Sequence, residues 1–150
     1  MTSSLQHKIG AIPFAIKDDR IAILFVTSQR RGRWILPKGN LKAGESHKKG
    51  CKREAFEEAG VKGKILKDFP MTMLIGKLID NNMDKVAVTY YPLLVTEQCE
   101  DWPEASSRQR HWSLLEDAFR VTDREDYLSV IRQFAEITPW VLETSKHKIA

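Results

Sequence analysis

Between Ser46 and Gly60 the chain carries a helix start, a helix stop and, between them, three carboxylates that a plain surface helix has no reason to crowd together. If Ser46 caps a helix that runs to Ala59 and ends at Gly60, then Glu54, Glu57 and Glu58 fall at i, i+3 and i+4 and share one face. Three like charges on one face repel, destabilise the helix and raise carboxylate pKa values. The arrangement makes sense around a hard divalent cation, which takes oxygen ligands.

The residues around that helix fit the same chemistry. Gly50 lies one turn before Glu54, where a missing side chain lets the preceding loop approach. Gly39, in that loop, can offer its backbone carbonyl to a metal without steric hindrance. Arg53 adjoins the glutamates and, paired with Glu45, would brace the loop against the helix and limit the repulsion. A solvated glutamate-rich helix is the plain meaning of Glu54-Ala55-Phe56-Glu57-Glu58 taken alone, but such a helix requires neither the glycines nor the arginine at these offsets.

The whole spacing, Gly39-x5-Glu45-x7-Arg53-Glu54-Ala55-x-Glu57-Glu58-x-Gly60-Val61, resembles the Nudix box at every fixed position. The resemblance implies hydrolysis of a nucleoside diphosphate linked to another moiety, or of a related diphosphate, with Mg²⁺ or Mn²⁺ as cofactor. It implies Gly39, Glu54, Glu57 and Glu58 as metal ligands. One glutamate serves as base, Glu57 in preference to Glu54, while Arg53 and Glu45 support the site.

A chain of 150 residues reads as one domain over 1–150, with 138–150 as a basic, partly disordered tail; its 42% hydrophobic and 29% charged residues are ordinary for a globular protein. No stretch is long and apolar enough to span a membrane, and the N-terminus lacks a basic segment followed by an apolar run. A cytoplasmic protein is the expectation. Cys51 and Cys99 form neither a CxxC nor a zinc spacing and read as reduced, structural thiols.

Charge is distributed unevenly. From Arg30 to Arg53 there are nine Lys or Arg residues against the single acid Glu45, a local positive field that would attract a polyanion. Because these residues adjoin the metal-site candidates, a phosphate-rich small molecule is favoured as partner over nucleic acid, with RNA kept as the alternative.

Along the chain, Ile9–Ile16 and Ile21–Val26 read as a hairpin turning at Lys17-Asp18-Asp19-Arg20, nearly continuous in hydrophobicity and so covered on both faces. Pro37 and Gly39 should stop any regular element in the segment that follows Trp34. Trp34 itself reads as a core anchor, with ring stacking as the minor alternative. Ala55, Phe56 and Ala59 should form the covered side of the box helix, opposite the glutamates. Strands are expected at Val61–Lys67, Met71–Ile79 and Val86–Thr96, with a turn at Asn81–Asp84 and a bulge or edge at Pro92. The acidic loop from Glu97 to Ser107 offers Glu97 or Glu100 as a late carboxylate, or is merely solvated. Arg108–Trp112 reads as a strand with Arg108 and Arg110 on one face. Two capping-box patterns, Ser113-x-x-Glu116 and Thr122-x-x-Glu125, predict two closing helices, the second over Asp123–Ile137 with Tyr127, Ile131 and Phe134 inward and Pro139 as its stop. This order suggests an α/β protein. The family resemblance implies an α/β/α sandwich on a mixed β-sheet.

Further down the chain, Val95-Thr96-Glu97, Glu100-Asp101-Trp102, Arg108–Trp112 and Leu115–Ala118, together with Trp34-x-x-Pro37, look like the diphosphoinositol polyphosphate phosphohydrolases. Those enzymes also cleave dinucleoside polyphosphates, so a polyanionic substrate is implied, and Arg110 matches a phosphate-binding position. The loop Pro37-Lys38-Gly39-Asn40 replaces that group's glycine triplet and is also seen in dinucleoside polyphosphate and RNA 5′-end hydrolases. Lys38, Arg30, Arg31 and Arg110 are the candidate phosphate holders. A Nudix domain used as a non-catalytic binding module is the alternative of another class, although such domains commonly lose a box glutamate or the arginine and this chain keeps them all.

Overall fold

The computed structural model describes residues 6–79 and 82–149. Its first two strands, β1 (Gln6–Lys17) and β2 (Arg20–Thr27), form the expected hairpin. Asp18 and Asp19 turn it with φ of 52° and 61°. Two successive left-handed residues match the right-handed twist of paired strands, and Asp tolerates that conformation better than most side chains.

The two strands stay together only from Lys17↔Arg20 to Phe14↔Ile23. Beyond that point they diverge, and the segment after the 28–33 turn fills the gap: β3 (Trp34–Ile35) pairs with Val26 and Thr27 of β2, and β4 (Lys38–Gly39) pairs with Ile9 and Gly10 of β1. Pro37 and Gly39 therefore do not exclude regular pairing; they limit it to two residues on each side. Ala11 N–H donates to the Pro37 carbonyl at 3.0 Å, and Trp34 packs against the core as expected.

A helix, α1 (His47–Ala59), follows, then β5 (Val61–Ile65), β6 (Met71–Ile79), β7 (Asn82–Gln98) and β8 (Arg110–Leu114). The sheet runs β3-β2-β1-β7-β5, with β4 beside β1, β6 beside β7 and β8 beside β2. Among the described residues only β1 and β7 pair in parallel, so the sheet is mixed. β7 is longer than its expected range and reaches Asn82, opposite Ile79. The turn expected at 81–84 thus begins outside the described residues and becomes strand from Asn82. Pro92 produces no bulge of its own. It stands where the neighbour of β7 changes from β6 to β5, and its carbonyl accepts from Leu66 N–H at 2.9 Å on that flank, so little pairing is lost there. The register shift lies instead at Lys62/Gly63 of β5.

The chain closes with α2 (Leu115–Ala118), α3 (Glu125–Glu136) and α4 (Thr138–Ile149). Neither expected capping box forms. Ser113 lies inside β8 and bonds the Leu114 carbonyl, while Thr122 accepts only from Arg124 N–H, and α3 starts at Glu125 with no side-chain cap. The segment expected as a tail is helix: Pro139 occupies the first turn of α4, where its missing N–H has no intrahelical role. Val141 and Ser145 are buried, which holds that helix to the body.

Alternation along β1 sets the layers. Ile9 points toward Gly50 of α1, whereas Phe14, of opposite parity, stacks at 5.6 Å on Phe134 of α3. Helices therefore cover both faces, with Tyr127, Val130, Ile131 and Phe134 of α3 wholly buried. This is the α/β/α arrangement on a mixed sheet. Among the described residues no helix is long and apolar enough to cross a membrane.

Candidate active site

The site is built on α1, whose ends form as its sequence dictates. Ser46 is extended (φ −73°, ψ 160°) and its hydroxyl accepts from Lys49 N–H at 3.2 Å, while Gly60 adopts φ 68° and its N–H returns to the Phe56 carbonyl. The orientation of the helix differs from expectation. Its buried residues are Gly50, Cys51, Glu54, Ala55, Glu58 and Ala59, with Phe56 only half-buried. Glu54 and Glu58 thus lie at the edge of the covered face, 7% and 5% exposed, rather than opposite it. Glu57 is more open, with its side chain 33% exposed.

Two glycines make that burial possible. A Cβ on Gly39 would lie 2.4 Å from the Glu54 carboxyl carbon, so only glycine lets β4 lie against this carboxylate. A Cβ on Gly50 would meet Leu41 and the Glu45 carboxylate of the preceding loop, the close approach read from the sequence.

Arg53 holds the arrangement together. It forks onto Glu45 through Nε (2.8 Å) and Nη2 (2.9 Å), donates through Nη2 to the Asn40 carbonyl (2.9 Å), and reaches Glu54 (2.6 Å) and Glu57 (3.5 Å) through Nη1. Lys42 N–H adds a bond to Glu45 at 3.0 Å. The Arg53 guanidinium and that N–H pull the Glu45 carboxyl down to about 2. A lowered carboxyl adds stability that is complete above its ordinary 4.5 and is lost as pH falls toward 2. Glu45→Gln is therefore expected to flatten the acid limb of a melting-temperature profile between those values; an unchanged limb would show that the brace contributes nothing there.

Glu58 behaves in the opposite way. Burial, and then the shared hydrogen bond with Glu54, push its carboxyl up, with Arg108 opposing. Lys38 N–H donates to its Oε1 at 3.3 Å, and Arg108 Nη2 stands 3.8 Å from the same oxygen. Among the described residues no three His, Cys, Asp or Glu side chains already converge on one ion-sized point, and Arg53 is paired with Glu54 and Glu57.

The phosphate-holding candidates separate. Arg30 and Arg31 are exposed on the 28–33 turn, beside a polar cleft of about 520 Å³ between Thr27–Gly32 and Ala105–Gln109. Lys38 is folded inward, its Nζ donating to Tyr127 Oη at 2.9 Å, and burial lowers its pKa against the pull of Glu58. Arg110 is engaged elsewhere. Its Nη1 donates to the carbonyls of Ala59 (3.1 Å) and Cys99 (2.8 Å) and its guanidinium lies 3.9 Å over Trp102, so it caps the C-terminal end of α1.

Sequence reasoning missed three neighbours of the glutamates: Arg108, Tyr127 as partner of Lys38, and Glu104. The acidic loop does reach α1, but through Glu104, whose N–H donates to the Glu57 carbonyl at 3.1 Å and whose carboxylate accepts from Arg108 at 2.8 Å and Gln29 at 3.0 Å. Of the two acids named beforehand, Glu97 instead accepts a weak bond from Cys99. The alternation that put Arg108 and Arg110 on one strand face was the available signal; nothing in it ranked the two. Cys51 is buried against the Gly10 carbonyl, its thiol pushed up to about 12 by burial, and both cysteines are free, as expected.

Comparison with known proteins places this geometry. A family model described as the NUDIX domain matches residues 6–134. Diphosphoinositol polyphosphate phosphohydrolase 3-beta of Bos taurus is 42% identical over 106 residues, 66% of this chain and 58% of that protein. Nudix hydrolase 21, chloroplastic, of Arabidopsis thaliana is 31% identical over 128 residues, 80% of this chain and 61% of that protein. The chain thus spans about three fifths of the length of these relatives. A binary complex of C. elegans Ap4A hydrolase superposes with a TM-score of 0.68 at 21% identity, over 89% of this chain and 97% of that one, a likeness of fold. The matched region takes in the box, every strand and all but the end of α3, so what is shared is the architecture as well as the motif: this chain belongs to the Nudix family.

Proposed function

We propose that this protein is a divalent-metal-dependent hydrolase of diphosphate linkages in phosphate-rich small molecules, with diphosphoinositol polyphosphates and dinucleoside polyphosphates as its substrates and Mg²⁺, replaceable by Mn²⁺, as its ion. The observation that carries this reading is the buried pair Glu54 and Glu58, set against a glycine backbone and beside a four-way arginine brace. Two neighbouring carboxylates buried away from water, one of them with its pKa raised by burial and by the other, fit a cation.

Glu54, Glu57, Glu58 and the Gly39 carbonyl would hold that ion. Bound there, it supplies the positive charge that neutralises phosphate oxygens in the transition state. Arg53 and Glu45 fix the helix against the loop so that the oxygen donors keep their spacing. Glu57, the most open of the three, accepts the proton of the attacking water, with Glu54 second in line. Lys38 offers an inward-facing cation beside Glu58, and Arg30 and Arg31 meet the substrate at the rim.

The names of the relatives support the two substrate classes, and the basic run Arg30–Arg53 supports any polyanion. The test is product release with Mg²⁺ from diphosphoinositol polyphosphates, dinucleoside polyphosphates, ADP-sugars, nucleoside triphosphates and 5′-triphosphate RNA, each with a chelator control. Chelator-sensitive preference for the first two bears the proposal out. Preference for the RNA replaces the substrate class, and tight binding without turnover replaces the enzyme with a binding module.

A further inference from the structure

We infer that Trp102 and Arg110 are positioning residues for the metal ligands: with two backbone N–H groups of the same 99–110 segment they hold the last turn of α1, and so fix Glu57 and Glu58 relative to Glu54. The inference rests on the hydrolase reading above and names what keeps the oxygen donors of that site in register.

The last carbonyls of a helix have no partner within it. In α1 each finds one. Gly60 N–H takes the Phe56 carbonyl at 2.9 Å, and beyond that point every donor comes from one short segment. Glu104 N–H donates to the Glu57 carbonyl at 3.1 Å, Trp102 Nε1–H to Glu58 at 3.1 Å, Arg110 Nη1 to Ala59 at 3.1 Å and Cys99 N–H to Gly60 at 2.8 Å. The segment is also tied to itself. Arg110 Nη1 donates to the Cys99 carbonyl at 2.8 Å, and its guanidinium lies 3.9 Å over the Trp102 ring. A Cβ on Gly60 would stand 2.8 Å from the indole, so helix end, ring and guanidinium are stacked without spare room.

This helix needs such a hold because its charges oppose its dipole. The first turn carries Lys48 and Lys49 and no acid, and the last turn carries Glu57 and Glu58 and no base. Carboxylates beside C-terminal carbonyls favour fraying. Arg110 supplies from β8 the cation that the last turn lacks. Arg53 does not serve this end: it bonds Glu54 at 2.6 Å, reaches Glu57 only at 3.5 Å, and makes no bond to Glu58 among the described residues. A frayed last turn would swing Glu57 and Glu58 away from Glu54. The two devices divide the task, Arg53 setting Glu54 against the Gly39 loop and the 99–110 segment setting Glu57 and Glu58 against Glu54.

The test titrates Mn²⁺ into the wild-type protein, Trp102→Phe, Arg110→Lys and Val141→Ala, with the free ion read by electron paramagnetic resonance and with KM for the best diphosphate substrate measured at saturating Mg²⁺. Phenylalanine keeps a ring against Gly60 but has no Nε1–H, and lysine keeps the charge but cannot serve two carbonyls while lying flat on the indole. Both variants are expected to bind Mn²⁺ about tenfold more weakly, with KM at saturating metal within about twofold of wild type. Val141→Ala, which opens a cavity in the buried face of α4, should melt earlier and yet bind Mn²⁺ as the wild type does. Wild-type Mn²⁺ affinity in Trp102→Phe and Arg110→Lys overturns the inference, as does a loss in Val141→Ala as large as theirs. So does a raised KM in Arg110→Lys with Mn²⁺ affinity intact, which would assign Arg110 to the substrate. Should Arg110→Lys fail to fold, Trp102→Phe decides on the same readings. Wild-type protein that binds Mn²⁺ but turns over no diphosphate sinks the hydrolase reading instead, and the comparison of variants still stands on binding.

Discussion

Glu57→Gln is expected to lower kcat by about 10² to 10⁴-fold with the melting temperature of the metal-free protein unchanged, because under the proposed mechanism it removes the group that takes the proton of water, from a half-open position, and nothing from the core. Glu58→Gln should lose turnover to a similar degree and yet melt higher at neutral pH. The two differ because Glu58 is buried with its carboxyl pushed up to about 9, above an ordinary 4.5. A raised carboxyl works against stability as pH climbs from 4.5 toward 9, so the metal-free protein should gain stability as pH falls through that window, and the glutamine should abolish the gain. Near-normal activity in both variants would remove the helix carboxylates from the chemistry.

Arg53→Lys is expected to reduce kcat/KM by about 10- to 100-fold and to shift the Mg²⁺ dependence of turnover to higher concentration. Lysine keeps the charge but has no fork. It cannot hold both oxygens of Glu45 and still reach Glu54 and the Asn40 carbonyl, as Arg53 does at 2.8, 2.9, 2.6 and 2.9 Å. The loop carrying Gly39 would then be free to move relative to Glu54. Activity restored by excess Mg²⁺ fits a brace; activity within twofold of wild type at limiting Mg²⁺ would mean that the brace does not position the donors.

The part of the site that lies within one stretch of chain was legible in the sequence. Ser46 and Gly60 fixed the helix ends, and the i, i+3, i+4 spacing put the glutamates together before any fold was known. The hairpin at Asp18-Asp19 and the inward stripe of α3 were legible for the same reason, local backbone preference joined to periodicity.

What failed depends on contacts between distant segments. Glu54 and Glu58 read as lying opposite the covered side of the helix; they are buried instead, and the burial of Glu54 depends on Gly39, fifteen residues before it, leaving room beside its carboxylate. Arg108 and Arg110 are alike in sequence, and only the positions of Glu58, Trp102 and the α1 carbonyls tell them apart. The short strands at Trp34 and Lys38 form because β1 and β2 diverge, which local preference does not encode. The helix α4 was hidden by Pro139, read as a stop although a proline in the first turn serves as a start.

Calorimetric titration of Mg²⁺ into metal-free protein at pH 7, repeated in two buffers of different ionisation enthalpy, tests the central claim most directly. With Glu58 carrying a proton in the metal-free state, the account predicts release of roughly one proton per ion bound by the wild-type protein and none by Glu58→Gln. Absence of Mg²⁺ binding at millimolar concentration, or binding by the wild-type protein without proton release, would contradict it.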